Sequence, residues 1–309
     1  MICKSSTLLA FSLFSILLQR CVTQAFSIAS SSRTTEIINV DPAIVTIENL
    51  LSQDETKHML SIIQTMTPIP TTTYQEDVFS KDAYEKEDAF FDEITQPFQE
   101  VIPSECLTPL QKFVHVFTNY SEQIDAEDVI KGANIIQRRE ALERWKSEEG
   151  QAILNLTSTN KDTDFQALGK RYQMPQDILQ KLEAMVPDIL YGSWSLHDAT
   201  IVKYQKGDSQ VPHLDNCDCT ILICLEASEE GGETCFPLLD FNLKNIAGNA
   251  HIFFSTNAIQ ENDSKNMLSL HHGGTIRKGE KVVVQLMLNW EKDDDISGSD
   301  SSWLSLIHY

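Results

Sequence analysis

Apolar and polar residues alternate in two regimes along this chain. In the last third, Thr200-Ile201-Val202-Lys203-Tyr204 is β-branched and predicts a strand. Val282 to Leu288 is nearly continuously apolar and predicts a strand buried on both faces. Earlier the period lengthens. Met59, Ile62, Ile63 and Met66 make a helical stripe, preceded by Ser52 and Glu55 at capping-box spacing and followed by Pro68. Ala126 to Glu149 predicts a charged helix solvated on one face. Pro175 opens another helix, with Ile178, Leu182, Met185 and Val186 as its packing stripe.

Candidate chemistry lies among the late strands. His213 and Asp215 form an H-x-D pair, and residues i and i+2 of a strand point the same way. Gly207 and Pro212 turn the chain just before them. His271 follows Asp215 by 56 positions and opens a strand-like run that continues as Val282 to Leu288. Two imidazoles and one carboxylate hold a ferrous ion on one face and leave the other open. Structural zinc would want four closed Cys or His ligands, and magnesium or calcium mostly oxygens. Lys281, ten residues past His271, can bind the far carboxylate of a keto-acid cosubstrate. An isolated H-x-D is a common polar loop and an isolated Lys281 an ordinary strand-end lysine; the combination carries the reading. His272 is expected as a neighbour of the site rather than a ligand.

These residues resemble the prolyl 4-hydroxylase type of Fe(II)- and 2-oxoglutarate-dependent dioxygenase. The matching text runs from Tyr204-Gln205-Lys206-Gly207 to Pro212-His213-Leu214-Asp215, then Gly231-Gly232-Glu233-Thr234-Cys235-Phe236-Pro237. Gly248 to Phe254, His271-x-Gly273 and Gly279-x-Lys281 complete it, over roughly residues 195–292. Asp41 to Val45 and Asn49 to Ser52 look like the family's opening strand and first helix. The resemblance implies a mainly β fold with flanking helices (α+β): a double-stranded β-helix, or jelly-roll, core with an N-terminal helical layer. It implies His213, Asp215 and His271 as iron ligands, and Lys281, Tyr204 and Thr234 as residues for 2-oxoglutarate. Tyr204 as a half-buried strand aromatic and Thr234 as part of a hairpin are the structural alternatives. The implied reaction hydroxylates a C–H bond, most naturally of peptidyl proline, releasing succinate and carbon dioxide, with L-ascorbate as a further cofactor. Small-molecule hydroxylation and a non-catalytic jelly-roll that binds a partner are the competing readings. Three departures bear on substrate: Gln210 replaces a tyrosine three residues before the first histidine, Met287 replaces an aromatic six residues after the lysine, and an upstream motif of two serines flanking an arginine is not recognisable.

Composition adds context. Residues 1–25 read as a secretory signal, with Lys4 ahead of an apolar run from Leu8 to Leu18 that is short for a membrane span. The expected destination is the secretory pathway and the lumen of the endoplasmic reticulum; the Ala25-Phe26 junction and its Ser-rich follow-on offer a complex plastid as the alternative. With 24 Lys and Arg against 45 Asp and Glu, the net charge is −21, which disfavours nucleic acid and anionic membranes and favours neutral or cationic peptide substrates. The expected organisation is the signal, one oxygenase domain over 36–292 (67–190 a helical, substrate-side layer, 195–292 the core) and an acidic, Ser-rich tail over 293–309. Asn119, Asn155 and Asn262 head N-x-S/T sequons. Of the cysteines, Cys217 and Cys219 lie just past the metal pair, where a loop thiol or a disulfide is expected over a second metal site.

Overall fold

The computed structural model describes residues 33–69, 81–156, 169–256, 265–291 and 303–308. The signal expected over 1–25, Asn262 and most of the terminal tail lie outside these residues. No helix among the described residues is long and apolar enough to cross a membrane.

The elements follow the two regimes of the sequence. Strands β1 (Thr34–Asn39) and β2 (Ile44–Glu48) precede helix α1 (Gln53–Ile63). Helices α2 (Lys81–Thr95), α3 (Pro109–Tyr120) and α4 (Ala126–Leu156) come next, then β3 (Lys170–Gln173) and α5 (Gln176–Met185). The remainder is β: β4 (Trp194–Tyr204), β5 (Gln210–His213), β6 (Cys219–Glu226), β7 (Glu230–Gly231), β8 (Thr234–Phe236) and β9 (Phe241–Leu243). It closes with β10 (Ala250–Phe254), β11 (His271–Gly273), β12 (Ile276–Lys278) and β13 (Lys281–Trp290). The expected run from His271 into Val282–Leu288 is therefore broken into three strands. Gly279, at φ +82°, marks the last break, where the chain must turn sharply before β13.

Seven antiparallel strands form the major sheet in the order β1-β2-β10-β6-β13-β4-β3, and four form the minor sheet in the order β5-β11-β8-β9. The two face each other as a double-stranded β-helix. Alternation along β13 explains its apolar sequence. Val282, Val284, Leu286 and Leu288 join the core that includes Met59 and Ile63 of α1 and Ile178 and Leu182 of α5. Val283 lies on the opposite face, packed with Tyr204 and Ile276. Each such aliphatic side chain, fully buried, contributes roughly 1.5–3 kcal/mol. The Ser52–Glu55 capping box is formed and starts α1 against β6.

The helical layer has a core of its own, Phe90 and Phe91 from α2, Phe113 from α3 and Ile135 from α4. Gly132 permits this packing: a Cβ there would lie 2.0 Å from the Phe113 ring. Arg139 of α4 bonds Glu87 at 2.7 Å and Asp88 at 3.0 Å on α2. Helix α4 then reaches the minor sheet, where Trp145 meets His272 edge-on and Arg144 donates to the Pro237 carbonyl at 2.7 Å. At the C-terminus, Trp303 stacks on Phe254 and donates to the Thr256 carbonyl, so the last described residues are part of the body.

Candidate metal centre

Strand pairing brings the distant histidines together. In the minor sheet β11 runs antiparallel to β5, with His271 directly opposite His213. Their ring centroids are 4.3 Å apart. Asp215 lies just beyond the end of β5, so the H-x-D pair straddles a strand end instead of sitting within a strand. Its carboxylate reaches back: Oδ1 is 3.5 Å from His213 Nε2 and Oδ2 is 3.7 Å from His271 Nε2. One ligand atom from each residue lies within 4.8 Å of the others, and all three side chains are buried.

Backbone carbonyls fix the ring chemistry. His213 Nδ1 is 2.8 Å from the Val211 carbonyl, and His271 Nδ1 is 3.0 Å from that of Ser269. A carbonyl only accepts, so each Nδ1 carries the proton and each Nε2 of the neutral ring presents its lone pair to the shared space. Burial and the neighbouring His213 push His271 down to about 4, which keeps it neutral at physiological pH. Burial alone would raise Asp215, but His271 and His213 in their protonated forms and the Thr220 hydroxyl hold its carboxyl well below the usual range, so it ionises before His271 becomes neutral. Two neutral imidazoles and one carboxylate are the protonation states that a divalent cation requires. This donor set fits a ferrous ion.

A second polar feature lies in a cavity lined by Tyr204, Gln210, Thr234 and Lys281 along with His213 and His271. Lys281 pairs in register with Tyr204 across β13 and β4, and its Nζ sits 5.5 Å from the phenol ring. Only 4% of Lys281 is exposed, and burial pushes its ammonium down to about 8. Nζ donates to the Gly232 carbonyl at 2.8 Å, and no carboxylate pairs with it among the described residues. The neighbouring Thr234 Oγ1 is buried with no hydrogen-bond partner among the described residues. A buried cation and an unmet hydroxyl are what an incoming carboxylate would satisfy, so these residues fit a keto-acid cosubstrate. Tyr204 donates instead to Gln210 Oε1 at 2.9 Å, and burial raises its phenol to about 12.

Five of the six residues singled out in the sequence line one cavity, Asp215 joins them through its grouping with the two histidines, and His272 lines the cavity without joining that group. Cys217 and Cys219 are buried free thiols. Two contacts escaped the sequence reading. Gln210, noticed only as a departure, links Tyr204 to His213 Nε2, which its amide nitrogen meets at 3.2 Å. Thr220 donates to Asp215 Oδ2 at 2.5 Å. Alternation in β6 was the available signal, since it puts Thr220 on the face that carries Leu222 of the cavity wall.

No protein-family model matches the chain, and no curated protein sequence does. Solved structures do. A viral collagen prolyl hydroxylase from Paramecium Bursaria Chlorella virus-1, solved as its 2-oxoglutarate complex, is 22% identical, with a TM-score of 0.35, over 40% of this chain and 81% of that one. A Pseudomonas putida prolyl-4-hydroxylase is 13% identical, with a TM-score of 0.29, over 50% and 88%. HygX from Streptomyces hygroscopicus, solved with nickel, 2-oxoglutarate and hygromycin B, is 10% identical, with a TM-score of 0.30, over 54% and 90%. In structure, this chain is similar to prolyl 4-hydroxylases and other 2-oxoglutarate- and Fe(II)-dependent oxygenases, and it carries a candidate His-Asp-His triad.

Proposed function

We propose that the protein is an Fe(II)- and 2-oxoglutarate-dependent dioxygenase that hydroxylates a C–H bond of a peptide, with peptidyl proline as the substrate residue. The observation that carries this reading is the convergence of His213, Asp215 and His271 beside a cavity that also holds the buried Lys281 ammonium. When bound, iron and 2-oxoglutarate would supply the activation of dioxygen, one oxygen atom passing into succinate as carbon dioxide is released and the other into the C–H bond.

The chain's own residues bind and orient. His213 and His271 would present Nε2, and Asp215 an ionised oxygen, to the metal. Lys281 and Thr234 would anchor the distal carboxylate of 2-oxoglutarate. Tyr204 would turn its hydroxyl from Gln210 to the same group. Val202, Leu222 and Val283 wall the cavity and exclude water from the reacting centre. The proline assignment draws on the ordered motifs from Tyr204 to Lys281, and the chain's net charge of −21 favours a neutral or cationic peptide. Ascorbate would keep the iron ferrous between cycles.

The test measures succinate release with Fe(II) and 2-oxoglutarate, with and without proline-rich peptides. Peptide-stimulated succinate and a mass gain of one oxygen on proline are expected. Turnover that ignores every peptide would move the substrate to a small molecule. Absence of both turnover and iron binding would remove the enzymatic reading.

A further inference from the structure

We infer that Thr220 is a positioning residue of the metal centre: its hydroxyl occupies Asp215 Oδ2 and holds the carboxylate to ligation through one oxygen. The inference rests on the proposed iron site and concerns what orients its only anionic ligand.

Asp215 follows the end of β5, so no strand pairing fixes its side chain. Rotation of the carboxylate would carry Oδ1 away from His213. The opposing sheet prevents this. Thr220 lies on β6, the middle strand of the seven, opposite Phe253 of β10 and Met287 of β13 in register. It is fully buried, and its strand cannot shift without breaking two ladders. From there Oγ1 meets Asp215 Oδ2 at 2.5 Å, the length of a charge-assisted O–H···O⁻ bond. The bond joins the ligand loop of the minor sheet to a central strand of the major one.

Proton accounting fixes its direction. An ionised carboxylate only accepts, so the single hydroxyl proton of Thr220 points at Asp215. Cys217 Sγ lies 3.3 Å from Oγ1 and 3.4 Å from the Cys219 carbonyl. Cys217 is a buried free thiol. Its proton goes either to Oγ1 or to the Cys219 carbonyl, and neither choice competes with the bond to Asp215. One lone pair of Oδ2 is thereby committed, and Oδ1 keeps all of its lone pairs for the ion.

The experiment compares the full chain with Thr220→Val, which preserves shape and removes the hydroxyl, and Thr220→Ser, which keeps the hydroxyl. Fe(II) affinity is measured anaerobically by titration, Co(II) serves as a spectroscopic probe of the ligand field, and thermal unfolding monitors the fold. The valine variant is expected to bind Fe(II) about 10–100-fold more weakly and to show an altered Co(II) spectrum. Serine is expected to restore both. Thr220→Ala carries the same expectation as valine if valine disturbs packing. Equal affinities and spectra in wild type and the hydroxyl-free variants overturn the inference while leaving the iron site standing. A wild type that binds neither metal overturns the iron site, and the inference with it.

Discussion

Replacing Lys281 with methionine should move stability and cosubstrate binding in opposite directions. The ammonium is buried, and its pKa falls from 10.5 to about 8. At about 1.4 kcal/mol per pH unit, keeping the charge inside the folded protein costs about 3 kcal/mol at neutral pH. Methionine has a similar unbranched stem and no charge. The Gly232 carbonyl that Lys281 serves also accepts from Asn245 Nδ2 at 2.6 Å, so the substitution orphans no acceptor. Lys281→Met should therefore stabilise the fold by about 2–3 kcal/mol at pH 7, raising Tm by several degrees. The sign can be followed with pH. Below pH 8 both folded and unfolded lysine are protonated and the full cost applies; between about 8 and 10.5 the folded lysine loses its proton first and the cost fades. The Tm advantage of the variant should shrink across that window. The proposed loss is in binding: truncating one partner of a buried charge pair costs about 2–5 kcal/mol, which weakens 2-oxoglutarate by roughly 30-fold or more. Calorimetric unfolding and 2-oxoglutarate titration read the two effects. A destabilised variant with unchanged 2-oxoglutarate affinity would refute the reasoning.

The same ammonium sets a pH profile: kcat/KM for 2-oxoglutarate should fall tenfold per pH unit above about 8, and a flat profile to pH 10 would exclude Lys281 as the anchor. Thr234→Val removes a buried hydroxyl that has no partner among the described residues, so urea unfolding should show the variant about 1 kcal/mol more stable, with 2-oxoglutarate bound several-fold more weakly. Ser52→Ala breaks the capping box of α1, in which Glu55 Oε2 accepts from Ser52 N at 2.7 Å; a loss of about 1 kcal/mol in denaturant unfolding, with catalysis unaffected, is expected.

Local patterns were legible where local physics decides. The Ser52–Glu55 spacing marks a helix start because both partners lie within one turn. Val282–Leu288 reads as buried because β13 packs helices on one face and closes the cavity on the other. The six candidate residues could be singled out because ordered motifs flank them. What the sequence hides is register across the sheets. His271 opposes His213 only because β11 inserts between β5 and β8. The Thr220–Asp215 bond spans two sheets, and the Tyr204–Gln210 bond depends on how β4 turns into β5. The placement of Trp145 against His272 follows from the path of α4, which its charged sequence does not specify.

The most direct test of the central claim is an anaerobic Fe(II) titration of the wild-type chain beside His213→Ala, Asp215→Ala and His271→Ala. One ion per wild-type chain, with affinity lost in each variant and circular dichroism unchanged, is the predicted result. Iron bound equally well by all four proteins would contradict a site built from these three side chains.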